Sequence, residues 1–265
     1  MDKTIELVNN VKDIHAMPSV IVKALNIMKK PTASMKELGD IVMYDQSLTI
    51  KILALVNSAY YGFSQQISSI NIALSLLGLV KVKNIIVAVA MKPMMSNQGD
   101  KELWKHSMRV AAGCEYLANI TKIMDSDEAF IAGFVHDVGK IVLHMANEKA
   151  YGKVISAVND GADVLDAERK YFDSDHVKTG SLLAKRWQLP ILLANIISYH
   201  HTPSLSSIPV PCNLVCMIDK LVQENFNPST LDKDFIKTMG IDFADIEDLR
   251  TAVLQKAELL ISELS

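Results

Sequence analysis

The sequence predicts an all-α protein. Apolar residues recur at three- and four-residue spacing along nearly every segment, few Thr or aromatic alternations mark strands, and capping residues stand where periodic runs begin. Ser34 followed by Glu37 is a capping-box pattern opening MKELGDIVMYD, and Asp45 is expected to cap the next helix, QSLTIKILALVNSAY. Gly62 marks a break. A helix pair from Ser69 to Met91 is expected to bend near Gly78, and Pro93 with the polar stretch SNQGD closes the N-terminal third. Further helices are expected over Lys101–Lys122, Ser126–Met145, Glu148–Asn159, Ala162–Phe172, Asp175–Gln188, Pro190–His201, Pro211–Glu224 and Phe243–Leu264. TPSLSSIPVP reads as an irregular connector. The expected organisation is an N-terminal helical part (1–95), a helical core (96–224) and a C-terminal helical extension (225–265).

With 265 residues the chain can bury a sizeable core without covalent staples. Lys plus Arg (27) against Asp plus Glu (30) gives a formal net charge of -3, which argues against general electrostatic affinity for nucleic acid or an anionic membrane. The three cysteines, Cys114, Cys212 and Cys216, show no C-x-x-C spacing, so neither a disulfide framework nor a zinc knuckle is implied and a reducing cytoplasm is expected. The N-terminus lacks the basic-then-apolar order of a signal peptide, and no apolar run approaches the roughly 20 residues that span a bilayer.

The histidines carry the functional argument. His15 and His144 have no acidic or histidine neighbour at ligand spacing and are given no role. The others occur in the order His106, His136 with Asp137, His176, His200 with His201, and the series ends at Asp219. Imidazole nitrogens suit iron, manganese or zinc, and a carboxylate can bridge two cations, so His136 and Asp137 offer one terminal and one bridging ligand. On a continuous helix they would diverge by about 100°, with Lys140 on the same face to hold a phosphate oxygen or a metal-bound hydroxide. His200 and His201 would diverge likewise, as donors to two neighbouring metals. His144, about 12 Å further along such a helix than His136, could not share their metal.

The motif HDVGK (His136–Lys140), preceded by WKHS and followed by DHVKTGSLLAKRW and YHH, resembles the HD superfamily of metal-dependent phosphohydrolases. MPSV (Met17–Val20), DQSLTIKILALVNSAYYG and SSINIALSLLGLV in the N-terminal half resemble more specifically the HDOD family, the HD-related output domain of bacterial signalling proteins. The resemblance covers residues 10 to 205 approximately and implies an HD-domain-like helical bundle with an N-terminal helical subdomain. Set against the related HD-GYP phosphodiesterases, the positions similar to their metal ligands are His106, His136, Asp137, His176, His200, His201 and Asp219. Lys140 stands where their substrate-side lysine stands, and Glu102 matches an additional carboxylate of some three-metal members. The implied cofactor is a divalent transition metal, Fe, Mn or Zn, with room in the ligand set for two ions.

One departure shapes the functional expectation. HD-GYP enzymes follow the paired histidines with an acidic residue and a D-G-x-G-Y-P loop, whereas His201 here runs into TPSLSS. The resemblance therefore implies a cytoplasmic bacterial signalling protein that holds metal and acts mainly by binding a partner such as a response regulator, a diguanylate cyclase or a kinase. The alternatives are a metal-dependent phosphohydrolase, with Lys140 in a catalytic role, and a metal or redox sensor. Residues Val56–Phe63 combine aromatics with a turn, as a recognition surface or as ordinary packing.

Overall fold

A computed structural model describes residues 2–11, 35–44, 46–96 and 102–264. His15, the MPSV motif, Ser34 and Asp45 lie outside the described residues. In chain order the α-helices are α1 (Lys3–Asn10), α2 (Met35–Tyr44), α3 (Gln46–Val56), α4 (Ile70–Leu77), α5 (Leu79–Met95), α6 (Glu102–Thr121), α7 (Ser126–Val135) and α8 (Val138–Ala146). They continue with α9 (Glu148–Asn159), α10 (Val164–Phe172), α11 (His176–Arg186), α12 (Ile191–Tyr199), α13 (Pro209–Leu221), α14 (Lys233–Thr238) and α15 (Ile246–Leu264). Among the described residues no strand occurs, and the protein is an all-α helical bundle.

Two differences from the expected elements matter. Pro93 lies inside α5, so the helix continues past the expected stop to Met95. The expected single helix from Ser126 to Met145 is broken at His136 and Asp137, which form a turn between α7 and α8. The expected bend near Gly78 is present: α4 and α5 meet at 109°, with Gly78 at φ 80°, a left-handed backbone that glycine adopts without strain.

The chain divides into two compact units, Met1–Met17 with Phe134–Cys216, and Pro18–Gly133 with Met217–Ser265. In the first, α8 packs on α11, α11 on α12, and α9 on α10, while α1 lies against α8 and α11. The α8–α11 contact is backbone to backbone. A Cβ on Gly139 would stand 1.9 Å from the His176 carbonyl oxygen and 2.6 Å from the Gly180 nitrogen, so the glycine of HDVGK is what lets α11 approach. Thr179 adds a hydroxyl hydrogen bond to the Gly139 carbonyl at 3.1 Å.

In the second unit, α15 packs along α6 and also meets α3, and α2, α3, α4 and α5 pack on one another. Trp104 is fully buried and donates from Nε1 to the Ala88 carbonyl at 3.1 Å. Part of the aromatic stretch after Val56 is packing. Tyr60 donates to the buried Glu115 carboxylate at 2.5 Å, and Lys81 bonds the same carboxylate at 2.6 Å. Phe63 is 40% exposed and stacks on Tyr61.

The helical stretch Ser126–Ala146 is long and apolar enough to cross a membrane by length and composition, but 78% of its apolar window is buried inside the protein, as in a core helix.

Candidate metal centre

The first unit gathers His136, His176 and His200 around one carboxylate. Asp137 stands at the N-cap of α8 without capping it through its side chain. Its two oxygens face different groups. Oδ1 lies 3.3 Å from His176 Nε2 and 3.7 Å from His200 Nε2, while Oδ2 lies 3.3 Å from His136 Nε2 and 2.5 Å from the Lys140 ammonium. Burial alone would raise this carboxyl, but the electrostatic pull of the neighbouring His136 imidazole, the Lys140 ammonium and the His176 imidazole outweighs it and holds Asp137 well below the usual carboxylate range. It is an anion at any physiological pH. The break between α7 and α8 places it there: the turn carries both side chains off the helix axis, so the 100° relation expected on a continuous helix does not apply.

His176 opens α11. Asp175 caps that helix by accepting from the Lys178 backbone N–H at 2.9 Å, and Arg169 Nε bonds the same carboxylate at 2.9 Å, tying the end of α10 to the start of α11. Asp173, in left-handed conformation, makes the turn between them. The turn sets Glu168 beneath His176. Both the backbone N–H and the ring Nδ1 of His176 reach Glu168 Oε2, each at 2.7 Å. His200 ends α12, and its Nδ1 is 3.0 Å from the Ile196 carbonyl oxygen.

These partners decide the tautomers. A carbonyl oxygen only accepts, so His200 Nδ1 carries its proton, and the neutral ring presents a bare lone pair at Nε2. His176 sets its Nδ1 against a Glu168 oxygen that also takes a backbone N–H. Burial holds the His176 imidazole well below its usual range, so it stays neutral. The two Nε2 atoms face each other at 3.3 Å. His201 Nε2 is 3.0 Å from His176 Nε2.

Such distances fit donors that share a cation. Nitrogens at about 2.0–2.1 Å from a zinc ion stand about 3.3 Å apart in tetrahedral arrangement and about 2.9 Å apart at right angles. One ligand atom from each of His176, His200 and His201 lies within 4.8 Å of the others, so this triad could hold a metal ion. His200 and His201 thus turn to one place, with ring centroids 4.3 Å apart, instead of diverging toward two.

The other sequence-predicted residues lie in the second unit. His106 Nε2 is 3.0 Å from Asp219 Oδ1, a donor pair in its own right. Glu102 has a side chain 65% exposed and accepts a hydrogen bond from Lys105 at 2.8 Å, the setting of a solvated helix-start carboxylate. His144 packs edge-on against Tyr151, with ring centroids 5.4 Å apart.

Sequence reasoning missed Glu168. Burial pushes its carboxyl up to about 8 against the pull of Lys140 and the His176 N–H. The signal was its position: on α10 it stands beside Ala167 and one turn before Phe172, both buried, so a carboxylate sits on the apolar face of that helix.

Fold and site define an all-helical domain protein with a histidine–aspartate cluster. The chain belongs to the HDOD domain family, whose model matches residues 14–203. In solved structures, an HDOD domain protein of Geobacter sulfurreducens superposes with a TM-score of 0.79 at 23% identity, covering 96% of this chain and 97% of that one. A "Putative phosphohydrolase" of Shewanella amazonensis superposes at 0.76 and 20% identity, covering 98% of each chain. An uncharacterized protein of Treponema pallidum is 27% identical over 205 residues, which are 74% of this chain and 39% of that protein. The chain thus spans about two-fifths of the length of this curated relative.

Proposed function

We propose that this protein is a bacterial signalling component that holds a divalent transition metal in its HDOD domain and acts mainly by binding a partner protein. The observation that carries the metal reading is the convergence of bare Nε2 lone pairs from His176 and His200, with His201 beside them and Asp137 Oδ1 within 3.7 Å. Three imidazoles and a carboxylate favour iron, manganese or zinc over calcium. His106 and Asp219 are proposed as a further donor pair, and His136 with Asp137 Oδ2 as another; Glu102 is the least supported, because its carboxylate is engaged by Lys105 in solvent. The partner is proposed to be a response regulator, a diguanylate cyclase or a kinase, acting in the cytoplasm.

A bound metal would supply Lewis acidity and an acidified water. Catalysis also needs groups that orient the scissile phosphate and an opening through which the substrate enters, and the surroundings favour binding over turnover. His136, Asp137, His176 and His200 are each 0–1% exposed. After His201 the chain goes into a short 3₁₀ turn, Pro203–Leu205, and the Ser206 and Ser207 hydroxyls bond back to Asn195 at 3.3 and 3.2 Å. Lys140, the candidate substrate-side cation, is engaged by Asp137.

The test is turnover of cyclic di-GMP and of a generic aryl phosphodiester by protein loaded with Fe, Mn or Zn. Little or no hydrolysis of either is expected. Robust metal-dependent hydrolysis, lost in His136→Ala or Asp137→Ala, would overturn the reading and make the protein a phosphohydrolase with Lys140 as its phosphate-binding group.

A further inference from the structure

We propose that Glu168 is a positioning residue of the metal centre, fixing His176 in the one tautomer and orientation that can donate to a cation; the inference rests on the metal reading above. Glu168 is fully buried, yet α10 gives it no partner on its own face: its neighbours there are Ala167 and Phe172. A carboxyl group in such a place must be held by something specific. Among the described residues what holds it is His176, through two hydrogen bonds of 2.7 Å to one oxygen, one from the backbone and one from the ring. The backbone N–H is an obligate donor to Oε2, and in the proposed arrangement the same oxygen also accepts from the ring, whose proton then stands on Nδ1. The backbone bond sets where the residue stands. The ring bond sets how it is turned.

The consequence falls on Nε2. With Nδ1 engaged, Nε2 points its lone pair toward Asp137 Oδ1, His200 Nε2 and His201 Nε2, at 3.3, 3.3 and 3.0 Å. His200 reaches the same tautomer through a main-chain carbonyl, which substitution cannot remove. His176 relies on a side chain. Its donor state is therefore adjustable at one position that lies outside the ligand set, and a carboxyl behind a ligating imidazole strengthens and orients that ligand.

Two measurements test the inference on Glu168→Gln, which keeps the shape, and on Glu168→Ala, with circular dichroism to verify folding. In the metal-free parent, ¹⁵N NMR of the histidine side chains, assigned by the signal lost in His176→Gln, should show His176 protonated at Nδ1 only. In Glu168→Ala the two tautomers should mix. Zinc titration should then show affinity 10–100-fold weaker in both variants than in the parent. His176 found as the Nε2–H tautomer in the parent, or folded variants that bind zinc as tightly as the parent, would overturn the inference. Failure of the parent itself to bind zinc, manganese or iron would instead remove the metal reading, and the tautomer measurement would then decide the role of Glu168 alone.

Discussion

Gly139→Ala is the most severe test of how the site is assembled, because it adds one methyl group where two helices touch through their backbones. The new Cβ would meet the His176 carbonyl oxygen at 1.9 Å, whereas real Cβ atoms essentially never approach closer than 3.0 Å. Neither the carbonyl nor the Gly180 nitrogen can rotate away, so α8 and α11 must part by about 1 Å. Overpacking of this kind costs about 1–3 kcal/mol, and a backbone obstacle places it at the upper end. For a domain of this size about 3 kcal/mol lowers the melting temperature by roughly 6–12 °C. The same displacement carries His176 away from Asp137, so zinc affinity should fall together with stability. Gly152→Ala supplies the control: it lies within α9, its added Cβ meets nothing within 4 Å, and replacing a helical glycine should stabilise by about 0.5–1 kcal/mol. Calorimetry and urea denaturation read both. A Gly139→Ala protein that melts with the parent and binds zinc equally would refute the close-approach argument.

Other outcomes follow from the same geometry. Tyr60→Phe removes the hydrogen bond to the buried Glu115 carboxylate and should cost about 1.5–3 kcal/mol in urea denaturation, with zinc affinity unchanged because the triad lies in the other unit. Chelation should lower the melting temperature, and metal restored at a hundredfold excess over its dissociation constant should return about 2.7 kcal/mol. In metal-free protein the Glu168 carboxyl is raised to about 8, so above its ordinary value of about 4.3 the unfolded chain gives up a proton that the folded chain keeps. This contribution is therefore present at low pH and declines as pH rises from about 4.3 to 8, by up to about 1.4 kcal/mol per unit. Glu168→Gln should flatten that slope, as read by urea denaturation across the range.

The fold was legible because its signals are local. Apolar periodicity and caps repeat along the chain: the expected Glu148–Asn159 helix is found with those bounds and Asn147 as its cap, and Asp163 and Asp175 cap the two helices after it. The break at His136 and Asp137 was hidden because the apolar pattern runs on from Phe130 to Met145 without a proline, and the turn is held by tertiary packing instead. His176, His200 and His201 were recognisable from their motifs, but their common focus was not, since it depends on Nδ1 partners at Ile196 and Glu168. Glu168 itself looked like one more charge in the sequence VLDAERKYF, and only its register with Phe172 marked it as inward-facing. The role of Gly139 was likewise invisible without the neighbour it makes room for.

The most direct test of the metal reading is elemental analysis of untagged protein purified without added metal, beside His176→Ala and His200→Ala. The parent is expected to carry about one equivalent or more of iron, manganese or zinc per chain, and the two variants clearly less. A parent that is essentially metal-free and takes up none of the three on dialysis, or variants that retain the full complement, would contradict it.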